Sequence, residues 1–180
     1  SLRPFEGHRP VLGEGVFVDD TAVVIGRVSL GAHSSVWPQC VLRGDIHAIQ
    51  IGTRTNLQDG TVVHVTHDSE YAPGGYGVRV GDGVTVGHQV TLHGCTVEDG
   101  CLIGMGSIVL DGAVLEPRVM LGAGSLVPGG KRLAGGHLWL GSPVRRIRAL
   151  TQQELAYLEY SAQHYERLAE RHRRPLQPPS

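Results

Sequence analysis

The sequence predicts an all-β solenoid, in which short parallel strands stack coil upon coil, followed by one C-terminal α-helix. Three observations predict this fold. Aliphatic residues return every six positions between residues 18 and 127, glycine and small residues fill places between them, and helical spacing begins near residue 152. A fixed period sustained over this length indicates a quasi-one-dimensional structure whose repeats contact only their neighbours.

The repeat is carried by a single aliphatic side chain in each hexad. An amphipathic helix would need intervals of three and four, and a half-buried strand would alternate by two, so neither explains the period. One short strand and one turn do explain it. Three hexads then close a triangular coil, and each coil pairs with the next at the strand spacing of about 4.8 Å. The inward positions, interrupted by two insertions and one deletion, are Val18, Val24, Leu30, Val36, Leu42, Ile51, Leu57, Val63, Val80, Val86, Leu92, Val97, Ile103, Val109, Leu115, Leu121 and Val127.

We expect one domain built in three parts. The N-terminal part of the chain, residues 1–148, forms the solenoid. A loop at about 66–78, which contains Pro73-Gly74-Gly75, projects from it. A helix lies within residues 149–174 and packs on the prism. The proline-rich residues 175–180 are expected to be disordered.

The helix is predicted from its first turn and its apolar stripe. Thr151 and Glu154 have the spacing of a capping box, and Leu150 and Leu155 that of a hydrophobic staple. Helical spacing continues from there, which predicts a helix over about 152–172. The stripe consists of Leu155, Leu158, Ala162, Tyr165 and Ala169.

Composition argues against several classes of function. The net charge is −1 and no long basic block interrupts the repeat, so we expect no nucleic-acid partner. No apolar run reaches the length of a membrane span, and the N-terminal residues do not resemble a signal peptide, so we expect no membrane association. Cys40, Cys95 and Cys101 are odd in number and form no CxxC pair, which indicates a reducing cytoplasm rather than a disulfide framework.

Two histidines fall into register on one face of the predicted prism. Leu42, Val63 and Leu92 occupy the same face in successive coils, so the residues that follow them point outward in a stack. That stack begins with an arginine and continues with His64 and His93, about one strand spacing apart. This separation suits two imidazoles that bind one ion at about 2.0–2.1 Å each.

A third histidine, His88, is expected on a different face. It follows Val86 and stands in line with Asp59 one coil earlier, so it cannot easily reach round the corner of the prism to the ion of its own chain. A neighbouring subunit could supply it if three prisms pack about a threefold axis, which predicts a homotrimer. Six of the other histidines are expected to be ordinary surface or hydrogen-bonding residues: His8, His33, His47, His137, His164 and His172.

Five short motifs carry a resemblance to a known family. They are Val41-Leu42-Arg43-Gly44-Asp45, Asn56-Leu57-Gln58-Asp59-Gly60, Val63-His64, Gly87-His88-Gln89 and Leu92-His93-Gly94. In these motifs, and over nearly its whole length, the chain resembles the gamma-class carbonic anhydrases, and more closely their bacterial carbonic-anhydrase-like branch. The resemblance implies a left-handed parallel β-helix and hydration of carbon dioxide to bicarbonate.

The resemblance also implies roles for individual residues. His64 and His93 would ligate zinc from one subunit and His88 from the next, with Fe²⁺ or Co²⁺ as alternative ions. Arg43 and Asp45 match an intersubunit ion pair, while Gln58 and Asp59 match polar residues beside the metal-bound water. Tyr160 matches an aromatic residue that the C-terminal helix brings near the site. His67 departs from the family, because it stands where a proton-shuttling carboxylate would follow His64, and it is either a relay or a bystander.

Two other functions stay open from the sequence. A metal-binding trimer of this kind with little hydratase activity would serve as a thioesterase or in another role. A coenzyme-A-dependent acyltransferase is the alternative from another class, because Gly141-Ser142-Pro143-Val144 resembles the end of the repeat in such enzymes. An acyltransferase, however, needs one catalytic histidine and leaves the other two unexplained.

Overall fold

The computed structural model describes residues 1–173 of the chain, so the tail expected at 175–180 lies outside the described residues. The first eleven strands are β1 Leu2–Arg3, β2 Val11–Leu12, β3 Phe17–Val18, β4 Val23–Leu30, β5 Ser35–Val36, β6 Val41–Ile51, β7 Asn56–Leu57, β8 Val62–His64, β9 Val78–Val80, β10 Thr85–Val86 and β11 Thr91–His93. The later elements are β12 Thr96–Val97, β13 Leu102–Ile103, β14 Ile108–Val109, β15 Val114–Leu115, β16 Met120–Leu121, β17 Leu126–Val127, β18 Arg132–Leu133, β19 His137–Gly141, β20 Val144–Ala149 and α1 Gln152–Arg173.

The strands stack into a three-faced prism. The histidine face contains Val41–Arg43 of β6 with β8, β11, β14 and β17, and the plain face contains Ile49–Ile51 of β6 with β9, β12, β15 and β18. The helix face is the eight-stranded sheet in the order β20-β19-β16-β13-β10-β7-β5-β3. Its strands pair in parallel except the final antiparallel pair of β19 and β20. The predicted solenoid is therefore confirmed, as the left-handed parallel β-helix that the resemblance implied.

The aliphatic residue of each hexad fills the interior. Every predicted inward position from Val24 to Val127 is buried, with at most 4% of its surface exposed. Val18 is only partly buried, because β3 is the outermost strand of its sheet and has no further coil to cover it. The three cysteines are buried and unpaired, and burial raises the pKa of the Cys95 thiol to about 12.

Coil length varies at one corner only, between the histidine face and the plain face. Strand β6 bulges at residues 45–48. Its partner β4 has one residue between Gly26 and Val28, whereas β6 has four residues between their partners Gly44 and Ile49. The loop at 66–78 follows β8, and its base is closed by paired backbone hydrogen bonds of 2.9 Å between Thr66 and Tyr76. One coil further on, the residue after β11 is Gly94 and the turn is one residue shorter than a hexad. We call this edge of the prism the variable corner.

Helix α1 begins with a capping box and packs on the helix face. Glu154 N–H donates to Thr151 Oγ1 at 3.2 Å, and Thr151 N–H donates to the Glu154 carboxylate at 2.9 Å, which is the reciprocal capping box. The helix buries Leu158, Ala162 and Ala169 against the strands β3, β5, β7 and β10 of the helix face. Within residues 1–173 no helix is long and apolar enough to cross a membrane.

Candidate metal centre

His64 and His93 lie side by side at the end of two paired strands. The register of β8 with β11 sets them opposite one another, and the fully buried Val63 and Leu92 before them force both rings outward. His64 Nδ1 lies 3.1 Å from His93 Nε2. Two nitrogens that share a tetrahedral ion at ordinary zinc–nitrogen distances would lie about 3.3–3.4 Å apart. The chemistry and spacing of these two donors therefore fit a divalent metal ion.

The second ring nitrogen of His64 is held by Asp45, which the bulge carries to the variable corner. His64 Nε2 lies 3.2 Å from Asp45 Oδ1, and Arg43 Nη1 donates to Asp45 Oδ2 at 2.6 Å. Burial opposes ionisation of Asp45, but the hydrogen bonds of Arg43 and His64 outweigh it and hold its pKa below the usual value. Burial, aided by the positive charge of Arg43, lowers the pKa of His64, which favours the neutral imidazole that a metal requires.

The structure pairs Arg43 with Asp45 inside one chain. The intersubunit ion pair that the resemblance implies for these two residues stays a prediction.

Sequence reasoning missed Asp111, which holds the second ring nitrogen of His93. His93 Nδ1 lies 2.6 Å from Asp111 Oδ1, and Thr66 Oγ1 donates to Asp111 Oδ2 at 2.6 Å. The register could have found this residue, because Leu92 pairs with Val109 and the residues after Val109 therefore lie beside His93.

His88 lies at the opposite edge of the histidine face, in the turn that follows β10. Its Nδ1 lies 2.9 Å from Asp59 Oδ2, while about half of each side chain stays exposed. Gln58, the neighbour of Asp59, is 6% exposed and donates its amide to Asn56 Oδ1 at 3.1 Å. His88, Asp59 and Gln58 thus share one edge, apart from His64 and His93. Among residues 1–173 no three His, Cys, Asp or Glu side chains converge as a metal site within the single chain.

The two remaining candidate residues lie on other elements, one on the helix and one in the loop. Tyr160 is 55% exposed on α1, where its ring stacks on His164 at a centroid distance of 6.0 Å. That helix covers the helix face rather than the histidine face. His67 is exposed in the loop, directly after Thr66.

One local feature separates the three predicted ligands from the other histidines. Each has an aspartate on one ring nitrogen: Asp45 on His64, Asp59 on His88 and Asp111 on His93. Among the described residues no other histidine lies within ion-pair distance of a carboxylate. Metal-binding histidines are commonly oriented by such a partner, which fixes the tautomer and leaves the opposite nitrogen for the ion.

Comparison with known proteins shows clear relatives, although no protein-family model matches the chain. The chain is 53% identical over 164 residues to the Escherichia coli protein YrdA, covering 91% of this chain and 89% of that protein. It is 44% identical over 163 residues to the mitochondrial gamma carbonic anhydrase 1 of Arabidopsis thaliana, covering 91% and 59%. It is 37% identical over 160 residues to a probable carbonic anhydrase of Methanocaldococcus jannaschii, covering 89% and 96%.

Solved structures share the same fold. A hexapeptide transferase family protein from Anaplasma phagocytophilum superposes with a TM-score of 0.86 at 40% identity, covering 93% of this chain and 95% of the other. A putative acetyltransferase from Bacillus cereus superposes with a TM-score of 0.85 at 36% identity, covering 95% of each chain.

Proposed function

Because the chain belongs to the gamma-class carbonic-anhydrase-like family of hexapeptide-repeat proteins, we propose that it hydrates carbon dioxide reversibly to bicarbonate at a metal ion held by three histidines. One observation carries the proposal: the ring nitrogens of His64 and His93 face each other at 3.1 Å, each imidazole with an aspartate on its other nitrogen. Zinc is the expected ion, with Fe²⁺ or Co²⁺ as alternatives, since three imidazoles suit several divalent metals.

The third ligand is His88 of a neighbouring subunit in a homotrimer. Two separate apolar patches support this arrangement. Val62, Ile108 and Leu110 are exposed on the histidine face, and Met105 and Leu140 are exposed near the His88 edge. Because the patches differ, they would pair head to tail, and a threefold rotation closes such an interface into a ring with three equal sites.

The residues around the ion have separate tasks in the reaction. A bound ion would lower the pKa of water, a chemistry best known from carbonic anhydrases themselves. Asp45, Asp111 and Asp59 hold the three imidazoles in the ligating orientation. Gln58, fixed by Asn56, would hydrogen-bond the reacting oxygen of carbon dioxide or bicarbonate. His67 would carry the released proton to buffer if it acts as the relay, because imidazole titrates near neutrality.

The deciding experiment is carbon dioxide hydration by stopped flow on fully metal-loaded protein, with zinc and, anaerobically, with Fe²⁺. We expect hydration that rises with pH through neutrality and is lost in His93→Ala. A fully loaded trimer without hydration would reject the proposal in favour of a metal-binding trimer with a thioesterase or other role. We further propose a cytoplasmic location, because three buried free thiols suit a reducing compartment.

An acyltransferase is a second candidate, supported by the names of the two solved structures above. It predicts saturable binding of acetyl-coenzyme A and acetyl transfer without added metal. It does not account for three histidines that each carry an aspartate. Retained acetyl transfer in a chelator-treated sample would favour it over hydration.

A further inference from the structure

Five side-chain contacts run unbroken across the variable corner. Arg43 donates to Asp45, Asp45 contacts His64, and His64 contacts His93. His93 then contacts Asp111, whose other oxygen accepts from Thr66. The last of these contacts, at 2.6 Å, comes from Thr66, to which the reaction proposed above gives no role.

Thr66 is itself held firmly. It is the first residue of the loop, and its backbone exchanges two hydrogen bonds of 2.9 Å with Tyr76 at the loop's other end. The hydroxyl that reaches Asp111 is therefore fixed by the closure of the loop.

The carboxylate of Asp111 occupies space that a side chain at position 94 would take. A Cβ on Gly94 would collide with Asp111 Oδ1 and would lie 2.7 Å from the Tyr76 Cβ. Gly94 also has a φ of 55°, in the left-handed region that glycine adopts most easily. Residue 94 thus leaves room both for the carboxylate and for the closed base of the loop.

We infer that Asp111 and Thr66 are positioning residues for His93, through which the closed loop at 66–78 sets the affinity of the metal site. Thr66 occupies one oxygen of Asp111, so the other oxygen is directed at His93 Nδ1. With Nδ1 engaged, His93 presents Nε2 toward His64. This inference depends on the proposed metal site, and neither residue needs to touch the substrate.

The test measures Co²⁺ affinity of the purified full chain by chelator competition, together with the visible spectrum at saturation. Asp111→Asn should weaken Co²⁺ binding about 10- to 100-fold, the usual cost of losing such a partner. Thr66→Val should weaken it less and shift the Co²⁺ spectrum, and Thr66→Ser, which keeps the hydroxyl, should restore both. Glu116→Gln, at a carboxylate that binds Arg132 on the plain face, should leave both unchanged.

Melting temperatures of all variants separate positioning from a merely structural role. Thr66→Val with unaltered Co²⁺ affinity and spectrum would overturn the inference, as would an Asp111→Asn protein that is folded and binds Co²⁺ normally. His93→Ala is measured beside them. If His93→Ala loses Co²⁺ while those two variants keep it, only the positioning role fails. If His93→Ala itself binds Co²⁺ normally, the proposed metal site fails and the inference fails with it.

Discussion

The two histidines of the variable corner lie close enough to share a proton or an ion. Their facing nitrogens, 3.1 Å apart, are at hydrogen-bond distance, and a divalent ion would replace the shared proton with little movement of either ring. His137 differs, because its Nδ1 contacts the carbonyl of Gly135 and no carboxylate.

Removing one predicted ligand should empty the site. His64→Ala, His88→Ala and His93→Ala should each lose most bound metal, because two imidazoles compete poorly with water and chelators. His137→Ala is the matched control and should keep full occupancy. Elemental analysis of purified protein checks this, and full occupancy in His93→Ala would remove that residue from the ligand set.

Changing Gln58 should affect the rate and spare the metal. Gln58→Ala is expected to lower the hydration rate by about 100- to 1,000-fold, because a fixed donor to the reacting oxygen is lost. Metal content should stay near normal, since within residues 1–173 the Gln58 side chain hydrogen-bonds Asn56 and none of the three predicted ligand imidazoles. A parallel fall in metal content would instead make Gln58 part of the scaffold of the site.

A change at His67 distinguishes a relay from a bystander. If His67 carries protons, His67→Ala should lower kcat at low buffer concentration, leave kcat/KM nearly unchanged, and recover with added imidazole. The reason is that proton release follows the chemical step. An unchanged kcat in dilute buffer would leave His67 without a role in catalysis.

At the scale of elements, the first turn of α1 ties the helix to the end of the solenoid. Glu154 accepts from Thr151 and also from both terminal nitrogens of Arg148, at 2.7 and 2.8 Å. These hydrogen bonds lower the pKa of Glu154 from 4.5 to about 2, and the bonds from Arg148 have the largest effect. A carboxylate with a lowered pKa in the folded state stabilises the fold above its unfolded pKa, and this contribution is lost as the pH falls toward the folded value.

Glu154→Gln should therefore destabilise the protein at neutral pH and matter less in acid. The difference in free energy of unfolding between the two proteins should shrink as the pH falls from about 4.5 to about 2. Urea unfolding at several pH values measures it. Glu170→Gln, at an exposed carboxylate near the end of α1, is the comparison variant. A pH-independent difference for Glu154→Gln would contradict the stabilising role of the Glu154 carboxylate.

The elements also show what the sequence can predict about this molecule. The aliphatic period sets strand, face and coil, and parallel register then stacks His64 on His93 without further information. The same period says nothing about residues that leave the coil. Asp45 reaches His64 from a bulge, and Thr66 reaches Asp111 from the base of a loop, so neither contact follows from hexad counting. The helix was predictable because its capping residues act within one turn.

At the scale of the whole molecule, one chain carries two-thirds of the proposed ligands at one edge of a face and one-third at the other. His88 has an aspartate on one nitrogen and faces outward, half exposed. Assembly of subunits is expected to bring the three ligands together, so oligomeric state and metal content should change together.

Mixing two inactive variants should restore some sites. His88→Ala supplies intact His64 and His93, and His64→Ala supplies intact His88, so about one site in four of a randomly mixed trimer is complete. Light scattering should give a trimer, and the mixture should regain metal and hydration in about that proportion. A metal-loaded monomer, or no recovery after subunit exchange, would contradict a site shared between chains.

All of the irregular chain in the repeat projects from one edge of the prism, while the other two edges keep a strict spacing of six. The free-energy cost of closing a surface loop grows only slowly as residues are added. This edge can therefore lengthen or shorten without shifting any coil. The scaffold therefore separates its own folding from the surroundings of the histidines. Access, polarity and proton exit at that edge can be redesigned by grafting new loop residues between Thr66 and Tyr76, because this leaves the coils and the closed base of the loop in place.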